Sequence, residues 1–135
     1  MRITLLGHGK TGKIVEKVAS QKGDTIVHIV TRQNSTSDIG FQEEWIKNTD
    51  VLIDFSVAGA VLDNVRNAVQ VKCPIVVGTT GWDSQLDEVR DLVEKGSGSC
   101  VASSNFSVGV QSLFYLARQA SRLLSRLQEF HPFIV

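Results

Sequence analysis

Compact runs of apolar, β-branched residues alternate along this chain with stretches whose apolar residues recur every three or four positions. The first pattern is typical of strands and the second of amphipathic helices. Strands are predicted for the segments RITLLG, TIVHIV, VLIDFS, PIVVGT and SCVAS. Helices are predicted around residues 10–21, 41–47, 59–71, 84–95 and 108–128. Strand and helix therefore alternate from the first residues onward.

The predicted strands are apolar along most of their length, as the segments VLIDF and PIVVG show. Such strands favour a parallel sheet with helices on both faces, because each side of the strand then contacts a core. The predicted fold is α/β, a doubly wound parallel sheet. Ligands bind to such sheets beyond the carboxyl ends of the strands, where the strand order reverses. The residues that follow each strand are therefore the candidates for a binding site.

Composition excludes several classes of function. The chain has 135 residues, the size of one domain, and its 14 basic residues balance 14 acidic ones without a block of like charge. Attraction to nucleic acid or to an anionic membrane has no evident source. The first residues predict neither a signal peptide nor a membrane span, which favours a cytoplasmic protein. Cys73 and Cys100 lack the spacing of a metal site and are expected to be buried, reduced thiols.

A glycine pattern follows the first predicted strand and opens the first predicted helix. In this G-x-G-x-x-G pattern the first glycine permits a tight turn, the second lets a diphosphate approach, and the third allows helix and strand to pack closely. Within a β-α-β unit, the pattern predicts a dinucleotide site. Lys10 and Lys13 add positive charge near the phosphates, or else form the solvated face of the helix. The pattern consists of Gly7, His8, Gly9, Lys10, Thr11 and Gly12.

The end of the second predicted strand bears on the choice between NADPH and NADH. A site that prefers a free 2′-hydroxyl usually has a carboxylate here, whereas this chain has Thr31 and Arg32. A guanidinium can pair with a 2′-phosphate, so NADPH is expected to be accepted, with NADH as the other candidate. The alternative is that Arg32 is a solvated loop residue.

Small and hydroxyl-bearing residues follow the third, fourth and fifth predicted strands. Their amides and hydroxyls suit a ribose or a carboxamide, and an aromatic ring among them suits a flat ligand ring. Ordinary turn chemistry is the alternative for each one alone. Because they follow three consecutive strands, they predict a single rim. The rim residues are Phe55, Ser56, Gly78, Thr79, Thr80, Ser103, Ser104, Asn105 and Phe106.

Four segments together resemble a known enzyme family. They are the glycine turn, DVLIDFS at residues 50–56, VVGTTGW at residues 76–82 and NFSVGV at residues 105–110. In this order and at these separations they resemble 4-hydroxy-tetrahydrodipicolinate reductase, also called dihydrodipicolinate reductase, over essentially the whole chain. This family belongs to the diaminopimelate route to lysine. It binds NADH or NADPH on an N-terminal Rossmann-like domain and passes hydride to a cyclic dicarboxylate held by a second domain, which also builds a homotetramer.

The resemblance implies a role for each matching segment. Residues 7–12 would bind the diphosphate, and Thr31 and Arg32 would lie near the adenosine ribose. Phe55, Ser56 and residues 78–80 would line the nicotinamide end, and residues 103–106 would close over it. Family members often carry Ala-Pro where this chain has Ser103 and Ser104.

The resemblance also implies a division into domains. Residues 1–128 are expected to form the dinucleotide-binding domain, with residues 103–128 ending in a connecting helix. Residues 129–135 are expected to begin a second domain that is otherwise absent. That domain supplies the paired histidines, the lysine and the Ser-Gly-Thr turn for the substrate, so no catalytic residue is expected in this chain. The chain is expected to bind cofactor without turnover.

The remaining candidates for proton transfer are histidines and one carboxylate. His28 lies in mid-strand and is expected to be structural, while His8 and His131 belong to no recognisable acid–base pair. Asp54, at the end of an apolar strand, is expected to accept backbone or helix-start hydrogen bonds rather than act as a base. No metal site is predicted.

Two alternatives from other classes stay open. One is another nicotinamide-dependent oxidoreductase, such as an aspartate or homoserine dehydrogenase-like enzyme. The other is a stand-alone module that senses a nucleotide and alters the conformation of a partner.

Replacing Arg32 by Ala is expected to weaken NADPH binding more than NADH binding, because only NADPH carries the 2′-phosphate that the guanidinium would pair with. The extra loss should be about tenfold, the equivalent of one charge-assisted hydrogen bond. Calorimetric titration with both nucleotides measures it, with Arg90→Ala in the predicted fourth helix as the control. Equal losses for the two nucleotides would contradict the role given to Arg32.

Overall fold

The structure is a computed structural model that describes residues 1–31 and 47–126. These residues contain five strands and four helices, and a helix follows each strand except β2, after which residues 32–46 are not described. The strands are β1 (Arg2–Leu6), β2 (Thr25–Val30), β3 (Val51–Asp54), β4 (Ile75–Val77) and β5 (Cys100–Ala102). The helices are α1 (Lys10–Gln21), α2 (Val61–Gln70), α3 (Leu86–Lys95) and α4 (Val108–Leu124). One turn of 3-10 helix precedes α2 at Ala58–Ala60 and α3 at Asp83–Gln85.

The described strands form one parallel sheet in the order β2-β1-β3-β4-β5. From β1 the chain moves to β2 on one side, and it then returns to place β3 on the other side of β1. The strand order thus reverses between β1 and β3, which is where ligands bind in sheets of this kind. The predicted doubly wound, Rossmann-like sheet is confirmed.

The strands end level with one another at the carboxyl edge of the sheet. Leu6 is paired with Val30 on one side and with Asp54 on the other. Asp54 is in turn paired with Val77, and Val77 with Ala102. The loops that follow the strands therefore start along one line, where residues far apart in the sequence come together.

Helices cover both faces of this sheet. On one face α2 and α3 pack in the larger core cluster, and α2 contributes an apolar stripe made of Val61, Val65, Ala68 and Val69. On the other face Ala19 of α1 packs with Ile3 and Leu5. Leu5 and its neighbour Leu6 enter opposite cores, as expected for a strand that is buried on both sides.

The predicted elements differ from the observed ones mainly at their ends. β3, β4 and β5 are shorter than predicted, because the small residues at their ends leave the sheet and enter loops. The helices predicted at residues 59–71 and 84–95 each begin with a 3-10 turn. The helix predicted at residues 41–47 lies outside the described residues, apart from Lys47.

Ion pairs join the segments at the amino edge of the sheet. The N-terminal ammonium of Met1 lies 2.6 Å from a carboxylate oxygen of Asp24. Asp50, immediately before β3, accepts from the guanidinium of Arg2 at 2.7 and 3.1 Å and from its amide at 2.7 Å. These hydrogen bonds from Arg2 lower the pKa of Asp50. The amino edge thus carries contacts that tie β1 to its neighbours.

The chain divides into two compact units, residues 1–104 and residues 105–135. The described part of the second unit consists of α4 and the segment that leads into it. The hydroxyl of Ser107 caps α4 by accepting from the amide of Val110, and the side chain of Asn105 accepts from the amide of Ser107 at 2.8 Å. The predicted boundary at residue 128 stays a prediction, because residues 127–135 lie outside the described part.

Among the described residues, no helix combines the length and the apolar character needed to cross a membrane.

Leu52→Ala is expected to lower the free energy of unfolding by about 2–5 kcal/mol, because it removes a wholly buried side chain from the larger core and leaves a cavity. Urea denaturation followed by circular dichroism measures the change. Leu86→Ala is the matched control, since Leu86 is 43% exposed at the start of α3. Similar losses for both variants would contradict the assignment of Leu52 to the core.

Candidate functional site

The glycine turn is packed tightly between β3 and α1. Gly7 has φ of +92°, a conformation that side chains rarely adopt, and its amide donates to the carbonyl of Val30 at 2.8 Å. A Cβ at Gly7 would overlap the carbonyl of Phe55, and one at Gly12 would overlap the carbonyl of Gly7. The first and third glycines are therefore required by close approach of the backbone, as predicted from the pattern.

The second glycine, in contrast, faces open space. Gly9 is the N-cap of α1, and none of the described residues places an atom within 4 Å of where its Cβ would be. No side chain among the described residues caps this helix. The first amides of α1 therefore lack the usual side-chain partner, and a helix start of this kind attracts anions. The geometry fits a diphosphate held against the backbone at Gly9.

Two adjoining cavities extend from this turn along the carboxyl edge of the sheet. One, of about 460 Å³, reaches past the end of β2, and the other, of about 450 Å³, reaches past the end of β4. They share Gly9, Phe55, Ser56 and Val57. The first is also lined by Leu6, Gly7, His8, Val30, Thr31, Ala60 and Asn64. The second is also lined by Lys10, Thr11, Ala58, Gly78, Thr79 and Thr80.

Apart from Gly12, which lines neither cavity, and Arg32, which lies outside the described residues, the predicted site residues of the first four strand ends are brought to one crevice at the reversal point of the sheet. Phe55 and Ser56 lie at its middle, since they line both cavities. The ring of Phe55 lies so close to Gly78 that a Cβ there would overlap it. An extended dinucleotide is the shape of ligand that such a two-lobed crevice fits.

A buried carboxylate lies directly beneath the crevice. The side chain of Asp54 is 0% exposed and accepts three hydrogen bonds from residues that line the cavities. The amide of Ser56 and the hydroxyl of Thr79 donate to Oδ1 at 2.7 and 2.8 Å, and the amide nitrogen of Asn64 donates to Oδ2 at 2.8 Å. The prediction that Asp54 accepts hydrogen bonds from the backbone is confirmed.

Three residues of this region were not predicted as part of the site. Asn64 and Trp82 reach the network from α2 and from the loop after β4, where the indole of Trp82 donates to the carbonyl of Thr79 at 2.8 Å. Glu16, on α1, lies 2.7 Å from Nε2 of His8. A polar residue within the apolar stripe of α2 is the sequence signal that marks Asn64, whereas nothing in the sequence marks the pair of His8 and Glu16.

The end of β5 continues the same edge. The amide of Ser103 donates to the carbonyl of Val77 at 3.1 Å, which places Ser103 beside the end of β4. Asn105 and Phe106 belong to the second unit, where the carbonyl of Asn105 accepts from the side chain of Gln111 at 2.6 Å. The roles given to Ser104, Asn105 and Phe106 stay predictions. Arg32 and His131 lie outside the described residues.

Both cysteines, which lie in the described part of the chain, are free thiols. Cys73 is buried and Cys100 is half-buried, and burial raises the pKa of each thiol. The negative charges of Asp50 and Asp54 raise the pKa of Cys73 and Cys100, respectively, still further. Both thiols are therefore weak nucleophiles at neutral pH. Among the described residues, no cluster of three metal-ligating side chains is found.

Comparison with known proteins identifies the family. A model of the N-terminus of dihydrodipicolinate reductase matches residues 1–106. The chain belongs to the dihydrodipicolinate reductase family. The resemblance seen in the sequence motifs is confirmed, and the chain corresponds to the N-terminal, nucleotide-binding domain of that family. The cofactor class that this membership supports is a pyridine nucleotide.

Several curated relatives carry the name 4-hydroxy-tetrahydrodipicolinate reductase. The protein of Christiangramia forsetii is 30% identical over 130 residues, which cover 96% of this chain and 52% of the relative. That of Zymomonas mobilis is 34% identical over 128 residues, covering 92% of this chain and 49% of the relative. That of Methanoregula boonei is 45% identical over 78 residues, covering 58% of this chain and 31% of the relative. The chain thus spans at most about half the length of these relatives.

Solved structures share the fold at lower sequence identity. A dipicolinate-bound dihydrodipicolinate reductase from Paenisporosarcina sp. TG-14 has a TM-score of 0.70 and 22% identity, covering 90% of this chain and 53% of that chain. A hyperthermophilic archaeal homoserine dehydrogenase mutant in complex with NADPH has a TM-score of 0.56 and 16% identity, covering 76% and 43% of the two chains. At these identities the similarity establishes the fold.

Gly9→Ala and Gly7→Ala are expected to separate binding from folding. An alanine at residue 9 meets open space, so the melting temperature should stay as in the wild type, while its methyl group fills the place of the diphosphate and weakens NADPH binding about tenfold or more. An alanine at residue 7 should destabilise the fold by about 1–3 kcal/mol, because its φ is positive and its Cβ overlaps Phe55. Thermal denaturation and calorimetry measure both effects. Unchanged affinity in Gly9→Ala would contradict the position of the diphosphate.

Proposed function

We propose that this chain is the cofactor-binding domain of a dihydrodipicolinate reductase, which transfers hydride from NADPH or NADH to a cyclic dicarboxylate. The observation that carries the proposal is the open helix start at Gly9, which faces a two-lobed crevice at the reversal point of the sheet. Membership of the family supports the same conclusion. Because the chain spans about half the length of relatives such as that of Christiangramia forsetii, the activity belongs to a longer protein.

In this proposal the glycine turn binds the diphosphate. The amides at the start of α1 donate to the phosphate oxygens, and the helix dipole adds partial positive charge at the same place. Lys10 and Thr11 line the cavity beside Gly9, so an ammonium and a hydroxyl are also available to the phosphates. Lys10 therefore has a binding role here in addition to its place on the first turn of α1.

In this proposal each half of the cofactor occupies one of the two cavities. The cavity at the end of β2 is lined by Val30 and Thr31 and takes the adenosine half, with Arg32 next in the chain for a 2′-phosphate. The cavity at the end of β4 is lined by residues 78–80 and takes the nicotinamide half. This arrangement follows the strand-end positions of the predicted site residues and agrees with the general direction of dinucleotides across such sheets.

The bound nicotinamide supplies the hydride, and the residues of this chain orient the ring and limit its contact with water. Phe55 provides an apolar wall between the cavities, while Ser56 and Thr80 offer polar groups at the crevice. Such positioning brings the reacting atoms to within roughly 3–3.5 Å of each other in reactions of this type. In the same proposal Ser104, Asn105 and Phe106 close over the nicotinamide.

The proposal assigns the cyclic dicarboxylate, the proton donor and the homotetramer contacts to parts of the full-length enzyme that this chain does not span. In this proposal no catalytic residue is assigned to this chain. The enzyme is placed in the cytoplasm, as a biosynthetic reductase of the diaminopimelate route. A homoserine dehydrogenase-like activity and a nucleotide-sensing role are the alternatives, and turnover of the cyclic dicarboxylate by the full-length protein separates them from the reductase.

Titration of this chain with NADPH and NADH is expected to show binding of at least one of them below millimolar concentration. Binding should be weaker than that of a full-length reductase, because the proposed second domain, which would shield the bound nicotinamide from water, lies outside this chain. Isothermal calorimetry or the fluorescence of the reduced nicotinamide measures it, with Gly9→Ala as the control for specific binding. Absence of binding to either nucleotide at millimolar concentration would contradict the proposed function.

A further inference from the structure

The carboxylate of Asp54 connects three separate segments of the crevice. Its donors are the amide of Ser56 in the loop after β3, the side chain of Asn64 on α2 and the hydroxyl of Thr79 in the loop after β4. Ser56 lines both cavities, Asn64 lines the one at the end of β2 and Thr79 lines the one at the end of β4. A single buried side chain thus determines how the walls of the crevice lie relative to one another.

Thr79 is fixed from two directions. Its hydroxyl donates to Asp54, while its carbonyl accepts from the indole of Trp82 at 2.8 Å, and both Thr79 and Trp82 are buried. The amide of Gly78 donates to the carbonyl of Asp54 at 2.8 Å. The loop at residues 78–80 therefore has little freedom while the carboxylate is in place.

Burial of this carboxylate is costly for a purely structural residue. A wholly buried charge is unfavourable unless hydrogen bonds compensate it, and an apolar residue would complete the core of a buried strand more simply. Asp50, immediately before β3, is exposed and paired with Arg2. Asp54, at the end of β3, is instead buried, and its partner Thr79 lines the proposed nicotinamide cavity.

We propose that Asp54 is a positioning residue for the nicotinamide half of the cofactor, acting through Thr79, which lines the nicotinamide cavity. The carboxylate holds both the amide of Ser56 and the hydroxyl of Thr79, and it thereby sets the width of the cavity that takes the nicotinamide riboside. Thr79 does not line the cavity assigned to the adenosine half, and the diphosphate contacts the glycine turn, so these groups depend less on the loop at residues 78–80. This inference rests on the proposed function, since it refines how the same crevice binds its cofactor.

Asp54→Leu tests the role of the carboxylate. Leucine is similar in size but accepts no hydrogen bond, so the amide of Ser56, the side chain of Asn64 and the hydroxyl of Thr79 lose their common acceptor and the loop at residues 78–80 shifts. Binding of NADPH is expected to weaken about tenfold or more. Binding of 2′-phospho-ADP-ribose, which lacks the nicotinamide, should change less than about twofold. Isothermal calorimetry with both ligands gives the ratio, which a general loss of stability would not alter.

The double variant Asp54→Asn with Asn64→Asp exchanges the two partners. Oδ1 of the new amide can still accept from Ser56 and Thr79, while its nitrogen donates to the new carboxylate on α2. This variant is expected to keep most of the NADPH affinity that Asp54→Leu loses. Asp50→Asn is the matched control, because it removes a carboxylate from the other end of β3 and should leave the ratio of the two affinities as in the wild type.

Thr79→Val provides a second test if Asp54→Leu does not fold. It removes the hydroxyl that donates to Asp54 with little change in shape, and it should lower NADPH affinity more than 2′-phospho-ADP-ribose affinity. Equal loss of both ligands, or loss of neither, in the variants that fold would overturn the positioning role. If the wild type binds neither ligand, the proposed function fails instead, so the two failures are distinguishable.

Discussion

Pairing between parallel strands is the constraint on which the rest of this structure depends. The ladder from Val30 through Leu6, Asp54 and Val77 to Ala102 brings the ends of β2, β1, β3, β4 and β5 to one line. Each loop of the crevice starts from that line. A shift of one strand by one residue would move its loop by about 3.3 Å and turn its side chains to the opposite face.

The glycine turn beside the crevice combines two tightly packed glycines with one glycine that faces open space. Gly7 and Gly12 let the turn pack against β3 and within α1, where any side chain would overlap a carbonyl. At Gly9, in contrast, no neighbouring atom of the described residues lies where a Cβ would be, so the space before the start of α1 is open. Tight packing around an open point keeps the amides oriented before a ligand arrives, which lowers the entropy lost on binding.

The sequence predicted those parts of the structure that depend on local pattern. The bounds of α1 and β2 agree with the predicted segments, because helical and strand periodicity are strong there and glycines mark the ends. Phe55 and residues 78–80 were also predicted, since residues after parallel strands meet at one edge. The family motifs extended this prediction to the cofactor.

Contacts that depend on three-dimensional packing were not predictable in the same way. Asn64 reaches Asp54 because α2 packs over β3, and Trp82 reaches Thr79 because its loop folds back on itself. The pair of His8 and Glu16 depends on the turn before α1. Sequence alone gives the residue types and their order, but not which side chain turns toward which partner.

The opposite edge of the sheet has a different character. Met1 with Asp24 and Arg2 with Asp50 form ion pairs there, far along each strand from the loops of the crevice. Because these ion pairs lie at the edge opposite the crevice, substitutions in the loops after the strands leave them in place. A sheet anchored in this way is suited to accept engineered loops.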